Sequence, residues 1–193
     1  MILMFYYLIL TIILLVIINF KSAKKVNYYK QRAERMYQRA IKDGMTGLYN
    51  YEYFLSELEK SNSPYSLIMF DIDNFKQIND QYGHQVGDLV IKDIAAKAEG
   101  VIRKTDLLAR YGGDEFIMAL FDCSPRETKV VLNKLHSHIN RASILVEGEE
   151  VSFAVSIGVY DLDDGIRTKE ALKRVDLALY KAKREGKNCT VCY

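Results

Sequence analysis

The first twenty residues constrain this chain more than any other stretch. From Met1 to Phe20 the only non-apolar side chains are Thr11 and Asn19, and none carries a charge. Wound as a helix, the run is about 30 Å long, the thickness of a bilayer's hydrocarbon core. A helix that is apolar on every face has no polar side to turn to water, which argues against a buried helix at a domain surface. A secretory signal peptide wants a basic start, a shorter apolar stretch and a small-residue cleavage site, and none is evident. Residues 1–20 therefore read as a transmembrane helix. Lys21, Lys24, Lys25 and Lys30 follow it, while nothing basic except the amino terminus precedes it. The positive-inside rule then places everything after the span in the cytoplasm, which makes a single-pass protein of the inner, cytoplasmic membrane.

Residues 21–42 form a charged linker in which Val26, Tyr29, Ala33, Met36 and Ala40 recur at alternating steps of three and four. That spacing is the seam of a short coiled coil. A dimerising helix would use it, and so would a helix packed on its own domain. At 193 residues the chain has room for one domain plus this appendage. The formal charge of +2 comes without a long basic patch interleaved with aromatics, so no nucleic-acid partner is expected. Cys123, Cys189 and Cys192 make an odd count that suits a reducing compartment. Cys189 and Cys192 lie in a segment, 188–193, that reads as a strand, where residues three apart face opposite ways. No second pair completes a zinc site.

Residues 43–193 carry the punctuation of one mixed domain. Helical periodicity is expected over Tyr51 to Lys60, Gln85 to Arg103, Pro125 to about His138, and Thr168 to Arg184, with Ser124 as an N-cap. Tyr65 to Ile72 is an apolar run ending in acid, the pattern of a buried strand. Leu107–Tyr111 and Glu115–Phe121, joined by Gly112-Gly113, give a hairpin signal, and Val151–Tyr160 reads as another strand. The fold class is α+β, a central antiparallel sheet flanked by helices and preceded by the transmembrane helix.

Two acidic clusters lie at strand ends: Asp71-Ile72-Asp73 and Asp114-Glu115, the latter directly after Gly112-Gly113. Keeping acids at the end of a core strand is costly unless they are used. Hard divalent cations take carboxylate and carbonyl oxygens, and a turn without side chains lets a polyphosphate approach backbone N–H groups. If the strand and hairpin are neighbours, the clusters converge into a site for metal-assisted phosphoryl chemistry.

The run Arg110-Tyr111-Gly112-Gly113-Asp114-Glu115-Phe116 resembles the signature of the GGDEF diguanylate cyclase family. Phe70 to Asp80, Tyr82-Gly83-His84 and Gly87-Asp88 are similar to its second hallmark, Asp43 to Asn50 to its opening motif, and Tyr180–Lys183 with Gly186–Asn188 to its closing one. The resemblance covers 43–193 in the family's order. It implies an adenylate-cyclase- and polymerase-palm-like domain that joins two GTP into cyclic di-GMP and pyrophosphate, with magnesium or manganese, two ions per active site. Asp71, the Ile72 carbonyl and Asp114 would hold metal. Asp114 and Glu115 would be catalytic, Asp114 helping to deprotonate the attacking hydroxyl. Phe75, Lys76, Gly112, Gly113, Lys183 and Lys187 would bind phosphates. Asn79 and Asp88 would bind guanine, with His84 in the same pocket loop. Lys187 stands where arginine is usual, which keeps the charge and loses bidentate geometry.

The resemblance further implies a homodimer, since each domain holds one GTP. Arg103 and Asp106 match the R-x-x-D of an inhibitory site for cyclic di-GMP, although a surface ion pair has the same look. Met45 and Tyr51 depart from the opening motif, where the incoming helix meets the domain. A non-catalytic module that binds GTP or cyclic di-GMP is the main alternative. A cyclase making a mixed guanine–adenine dinucleotide is the other, and Asp88 argues for guanine because adenine has no N1–H.

Overall fold

The computed structural model describes residues 1–161 and 166–193, side chains excepted at 8, 12 and 13. Two compact units are present, Met1–Ala40 and Ile41–Tyr193. The first is α1, one unbroken helix over Ile2–Ile41 that covers both the apolar run and the charged linker. It is the one helix among the described residues that is long and apolar enough to cross a membrane.

The second unit is built on a six-stranded sheet with the order β1-β3-β4-β2-β7-β8, in which the elements are β1 (Tyr49–Asn50), β2 (Tyr65–Ile72), β3 (Leu107–Gly112), β4 (Glu115–Phe121), β7 (Val155–Asp161) and β8 (Thr190–Cys192). The pairs β3–β4, β4–β2 and β2–β7 are antiparallel, as expected for the centre. Both edges are parallel: β1 on β3 and β8 on β7. A separate hairpin joins β5 (Ser143–Val146) to β6 (Glu149–Ser152). The stretch expected as one strand over Val151–Tyr160 is thus two. Val151 pairs with Ile144 in the hairpin, whereas Val155 onward joins the main sheet. Val151 starts the stretch and Val155, Ile157 and Val159 continue it at even spacing, so composition could not reveal the break at Phe153 and Ala154.

Every residue of β2 is buried, because helices cover both faces of the sheet. Period two separates the faces. Ile68, Phe70 and Ile72 join one core with α4 (His84–Glu99) and α5 (Pro125–Asn140), where Phe70 stacks on Phe116 at 5.1 Å. Leu67 and Met69 join the other with α2 (Tyr51–Lys60) and α6 (Thr168–Arg184). Ser124 caps α5 through a reciprocal bond with Glu127, as its sequence position implies. α4 ends at Glu99, four residues short of the expected Arg103, with Gly100 as its C-cap.

α6 lies directly on β7. A Cβ on Gly158 would stand 2.3 Å from the Leu179 nitrogen and 2.5 Å from the Val175 carbonyl oxygen, so the helix can seat only over a glycine. Helical spacing then carries the contact line Val175, Leu179, Lys183 along the sheet toward the end of β2.

Candidate functional site

Alternation along β2 decides where its terminal acid points. Asp71 follows Leu67 and Met69 on the α6 face, and Glu115 lies opposite it in the β2–β4 register. The two acidic clusters therefore meet, as the neighbour condition required. The hairpin turn is Gly113-Asp114, with Gly112 already paired to Glu115, and Gly113 has φ +56°, a region open to glycine. The Ile72 N–H donates to the Asp114 carbonyl at 3.4 Å, tying the turn to the end of β2.

Lys183 reaches this cluster from α6. Its Nζ lies 2.7 Å from Asp71 Oδ2. Burial is the largest influence on the Asp71 carboxyl and raises its pKa; the Lys183 bond opposes this, and the Asp114 and Glu115 charges add to it. The balance is a pKa pushed up to about 6. Glu115 is raised as well, first by burial, with Lys183 opposing and Asp114 and Asp176 adding to the rise. Asp176 is an acid that the sequence reading did not single out; its place two helical turns before Lys183 was visible only once α6 was seated.

No three His, Cys, Asp or Glu side chains among the described residues stand together in ligating geometry. The donor set nevertheless suits a hard divalent cation: carboxylate oxygens converge, burial pushes the Asp71 pKa up to about 6, and the Lys183 ammonium beside Asp71 shows that this carboxylate accepts a cation. Asp73 belongs elsewhere. Its carboxylate accepts from Ser156 Oγ at 2.6 Å and from the Asn188 N–H at 2.8 Å, so it ties the segment after α6 to β2.

Beside the carboxylates opens the N-terminus of α3 (Phe75–Tyr82), a helix the sequence reading did not identify. Asn74 caps it in the left-handed conformation, at φ 58°, without a side-chain cap bond. The first helical bonds run from the Gln77 and Ile78 N–H groups to the Asn74 carbonyl, which leaves Phe75 and Lys76 N–H outside the helix's own ladder. N–H groups left open at a helix start are able to receive anionic oxygen. Lys187 stands next to it, donating from Nζ to Asn74 Oδ1 at 2.5 Å. Asn74 was the missed residue here. An asparagine between a strand end and a polar helix start was the available signal.

Asn79 lies in the second turn of α3, against Gly87 of α4. A Cβ on Gly87 would fall 1.9 Å from Asn79 Oδ1, so glycine is required for this approach. That oxygen is buried and has no hydrogen-bond partner among the described residues, a cost that a ligand donor would relieve. Asp88, half-buried, is the next residue of α4. His84 is not in a loop but is the first residue of α4, and it is exposed. The local helix forms because Gly83, at φ 85°, breaks the chain between α3 and α4.

Arg103 and Asp106 stand apart from these groups, in the segment between α4 and β3. They line a cavity of about 250 Å3 with Lys42, Tyr49 and Glu99. Asp106 is buried. One of its oxygens accepts from the Arg103 N–H at 2.8 Å and the other from the Phe121 N–H at 3.2 Å. Arg103 is exposed, with Glu127 3.8 Å away. The larger groove, about 570 Å3, runs between α3 and the β5–β6 hairpin and contains neither Asp71 nor Asp114.

This arrangement defines a class, the palm-like α+β domain with acids presented on two neighbouring central strands. The particular family follows from comparison: residues 40–189 match the family described as diguanylate cyclase, GGDEF domain, and the chain belongs to it. It is similar to the probable diguanylate cyclase DgcC of Escherichia coli K12, 33% identical over 181 residues that cover 90% of this chain and 48% of that one. It is also similar to diguanylate cyclase A of Treponema denticola, 35% identical over 147 residues that cover 74% of this chain and 39% of that one. The chain spans about half or less of these relatives' length. Among solved structures, the coiled coil and GGDEF domain of DgcB from Caulobacter crescentus, in complex with c-di-GMP, superposes with a TM-score of 0.83 at 28% identity, covering 90% of this chain and 96% of that one.

Proposed function

We propose that this chain is a membrane-anchored diguanylate cyclase that condenses two GTP into cyclic di-GMP, with release of pyrophosphate, between two copies of its domain. The observation that carries this reading is the register of Asp71 opposite Glu115, which gathers the acids beside the open N-terminus of α3. Relatives named as diguanylate cyclases support it.

In this reading Asp71, the Ile72 carbonyl and Asp114 hold magnesium or manganese, two ions per site. When bound, the ions lower the pKa of the attacking 3′-hydroxyl and neutralise charge on the transferring phosphate. Asp114 takes up the hydroxyl proton, and Glu115 orients phosphate and metal ligands beside it. The Phe75 and Lys76 N–H groups hold phosphate oxygens, Lys183 and Lys187 face them as cations, and Gly112-Gly113 leaves the approach clear. Asp88 accepts from guanine N1–H and the exocyclic amine. The unpaired Asn79 oxygen sits where the base binds, and His84 borders the pocket. The 3′-hydroxyl of one GTP attacks the α-phosphate of the other, and the reciprocal step closes the ring. Catalysis thus needs a homodimer, and α1 holds the domain at the cytoplasmic face of the inner membrane. Cyclic di-GMP is also the feedback ligand, received at Arg103.

The test is to incubate the full chain in detergent with GTP, ATP and magnesium and to identify products by mass spectrometry. Cyclic di-GMP is expected. GTP binding without any dinucleotide would instead support a non-catalytic binding module. A mixed product with adenine would displace the guanine assignment of Asp88.

A further inference from the structure

The seam of the linker does not stop where the linker begins. Val26, Tyr29, Ala33, Met36 and Ala40 step by three and four, and the same steps carried backwards reach Ser22, Asn19, Leu15 and, further on, Phe5. Because α1 is α-helical throughout from Ile2 to Ile41, nothing resets the register between the two halves. Of the two polar residues in the apolar run, Thr11 falls one position off this seam and Asn19 falls on it. Asn19 and Ser22 are exposed.

The cytoplasmic half is poorly made for pairing with itself. Between Lys21 and Lys42 every charged side chain except Glu34 is basic. With Val26 as an a position, Lys25 and Lys30 take the flanking g and e positions, so in a parallel pair each faces its counterpart's lysine. Ala33 and Ala40 add little buried area to offset that repulsion. A contact that holds two copies together has to come from elsewhere on the seam.

We infer that Asn19 pairs with Asn19 of a second copy of this chain at the cytoplasmic end of the membrane span and pins the register of the two α1 helices there. A carboxamide has two donors and an acceptor, so two copies related by a twofold axis exchange hydrogen bonds reciprocally. Polar side chains between helices associate spans in lipid, and a single asparagine on a seam sets register and strand number. The pin lies directly before the repulsive lysines. It fixes the helix phase where lipid ends and leaves the charged part beyond it loosely joined, responsive to salt and to anionic surfaces.

This inference rests on the dimer required by the proposed function. The experiment measures dimerisation of the full chain in detergent by sedimentation equilibrium, with cyclic di-GMP synthesis at high protein concentration assayed on the same samples. Asn19→Leu should weaken association roughly three- to twentyfold, the range of interhelical polar contacts in membranes. Asn19→Gln should retain it. The double variant Asn19→Leu, Phe20→Asn keeps one carboxamide at the same depth but turns it off the seam, and should be as weak as Asn19→Leu. Unaltered association of Asn19→Leu, or rescue by the displaced asparagine, would overturn the inference, as would a monomeric wild-type chain. Synthesis by every variant at high concentration would leave the cyclase reading standing in each of those cases, whereas its absence from the wild type would remove that reading separately.

Discussion

Arg110 clasps Asp43 and the signature turn at once. Its Nη1 lies 3.3 Å from both Asp43 carboxylate oxygens, while Nε and Nη2 donate to the Gly113 carbonyl at 2.9 and 2.7 Å. Asp43 in turn accepts from the Thr46 N–H at 2.9 Å and from Thr46 Oγ1 at 2.7 Å. The residues just after α1 are thereby bonded through one guanidinium to the hairpin that carries Asp114.

Asp43→Asn should lower stability by about 1–2 kcal/mol, the cost of weakening charge-assisted bonds at a half-buried site. Burial raises the Asp43 carboxyl pKa, but the Thr46 bonds and Arg110 outweigh it, and the net is a pKa below its ordinary 3.8. A depressed pKa contributes stability that is present above 3.8 and lost as pH falls through the folded value. Thermal melts across the acid range should show a flatter acid arm in Asp43→Asn than in the wild type.

Asp71 has the opposite sign. Its folded pKa of about 6 lies above the unfolded 3.8, so its contribution is full below 3.8 and lost as pH rises through about 6. A divalent cation needs the ionised form and must displace Lys183. Saturating magnesium should therefore raise the melting temperature more at about pH 7.5 than at about pH 5. Equal shifts at both values would count against Asp71 as a ligand.

Gly158→Ala forces a methyl into the backbone of α6. Overpacking of this kind costs about 1–3 kcal/mol, and here it also lifts the helix that delivers Lys183. Loss of turnover beyond the loss of folded protein, read by comparing kcat with a circular-dichroism melt, is the expected result. Gly87→Ala should instead raise KM for GTP, because its methyl meets Asn79 Oδ1.

Arg103→Ala should relieve inhibition by cyclic di-GMP with little change in stability, since its guanidinium is exposed. Asp106→Ala should do otherwise. Both oxygens of its buried carboxylate hold backbone N–H groups, so this variant should unfold about 1–3 kcal/mol more easily. Inhibition curves and melts on the two variants separate ligand contact from scaffold.

The chemistry-bearing strands were legible because their signal is local. β2 is an uninterrupted apolar run ended by acid, and α6 carries its own periodicity, so both bounds agree with expectation. Convergence of Asp71 with Glu115 followed from the hairpin beside β2. The rest depended on partners distant in sequence. β1 and β8 are two and three residues long and exist only because β3 and β7 offer them an edge. Asp73 looked like half of a ligand pair, yet it is bound to Ser156 and Asn188, which no local pattern discloses. α3 was hidden because it is only eight residues long: Phe75, Ile78 and Tyr82 keep helical spacing, but two turns are too short a window to separate a helix from a loop by pattern.

The clasp between Asn74 and Lys187 joins residues 113 apart in sequence, and β8 closes behind Lys187. On a ribosome, α1 emerges ahead of the domain and, as the membrane anchor proposed above, would reach lipid while most of the domain is still unmade. The Asn74–Lys187 clasp cannot assemble until the segment after α6 has left the exit tunnel and docked on β7. Under the proposed function, delivery thus precedes competence: the nascent chain would reach its place of work before it could consume a nucleotide.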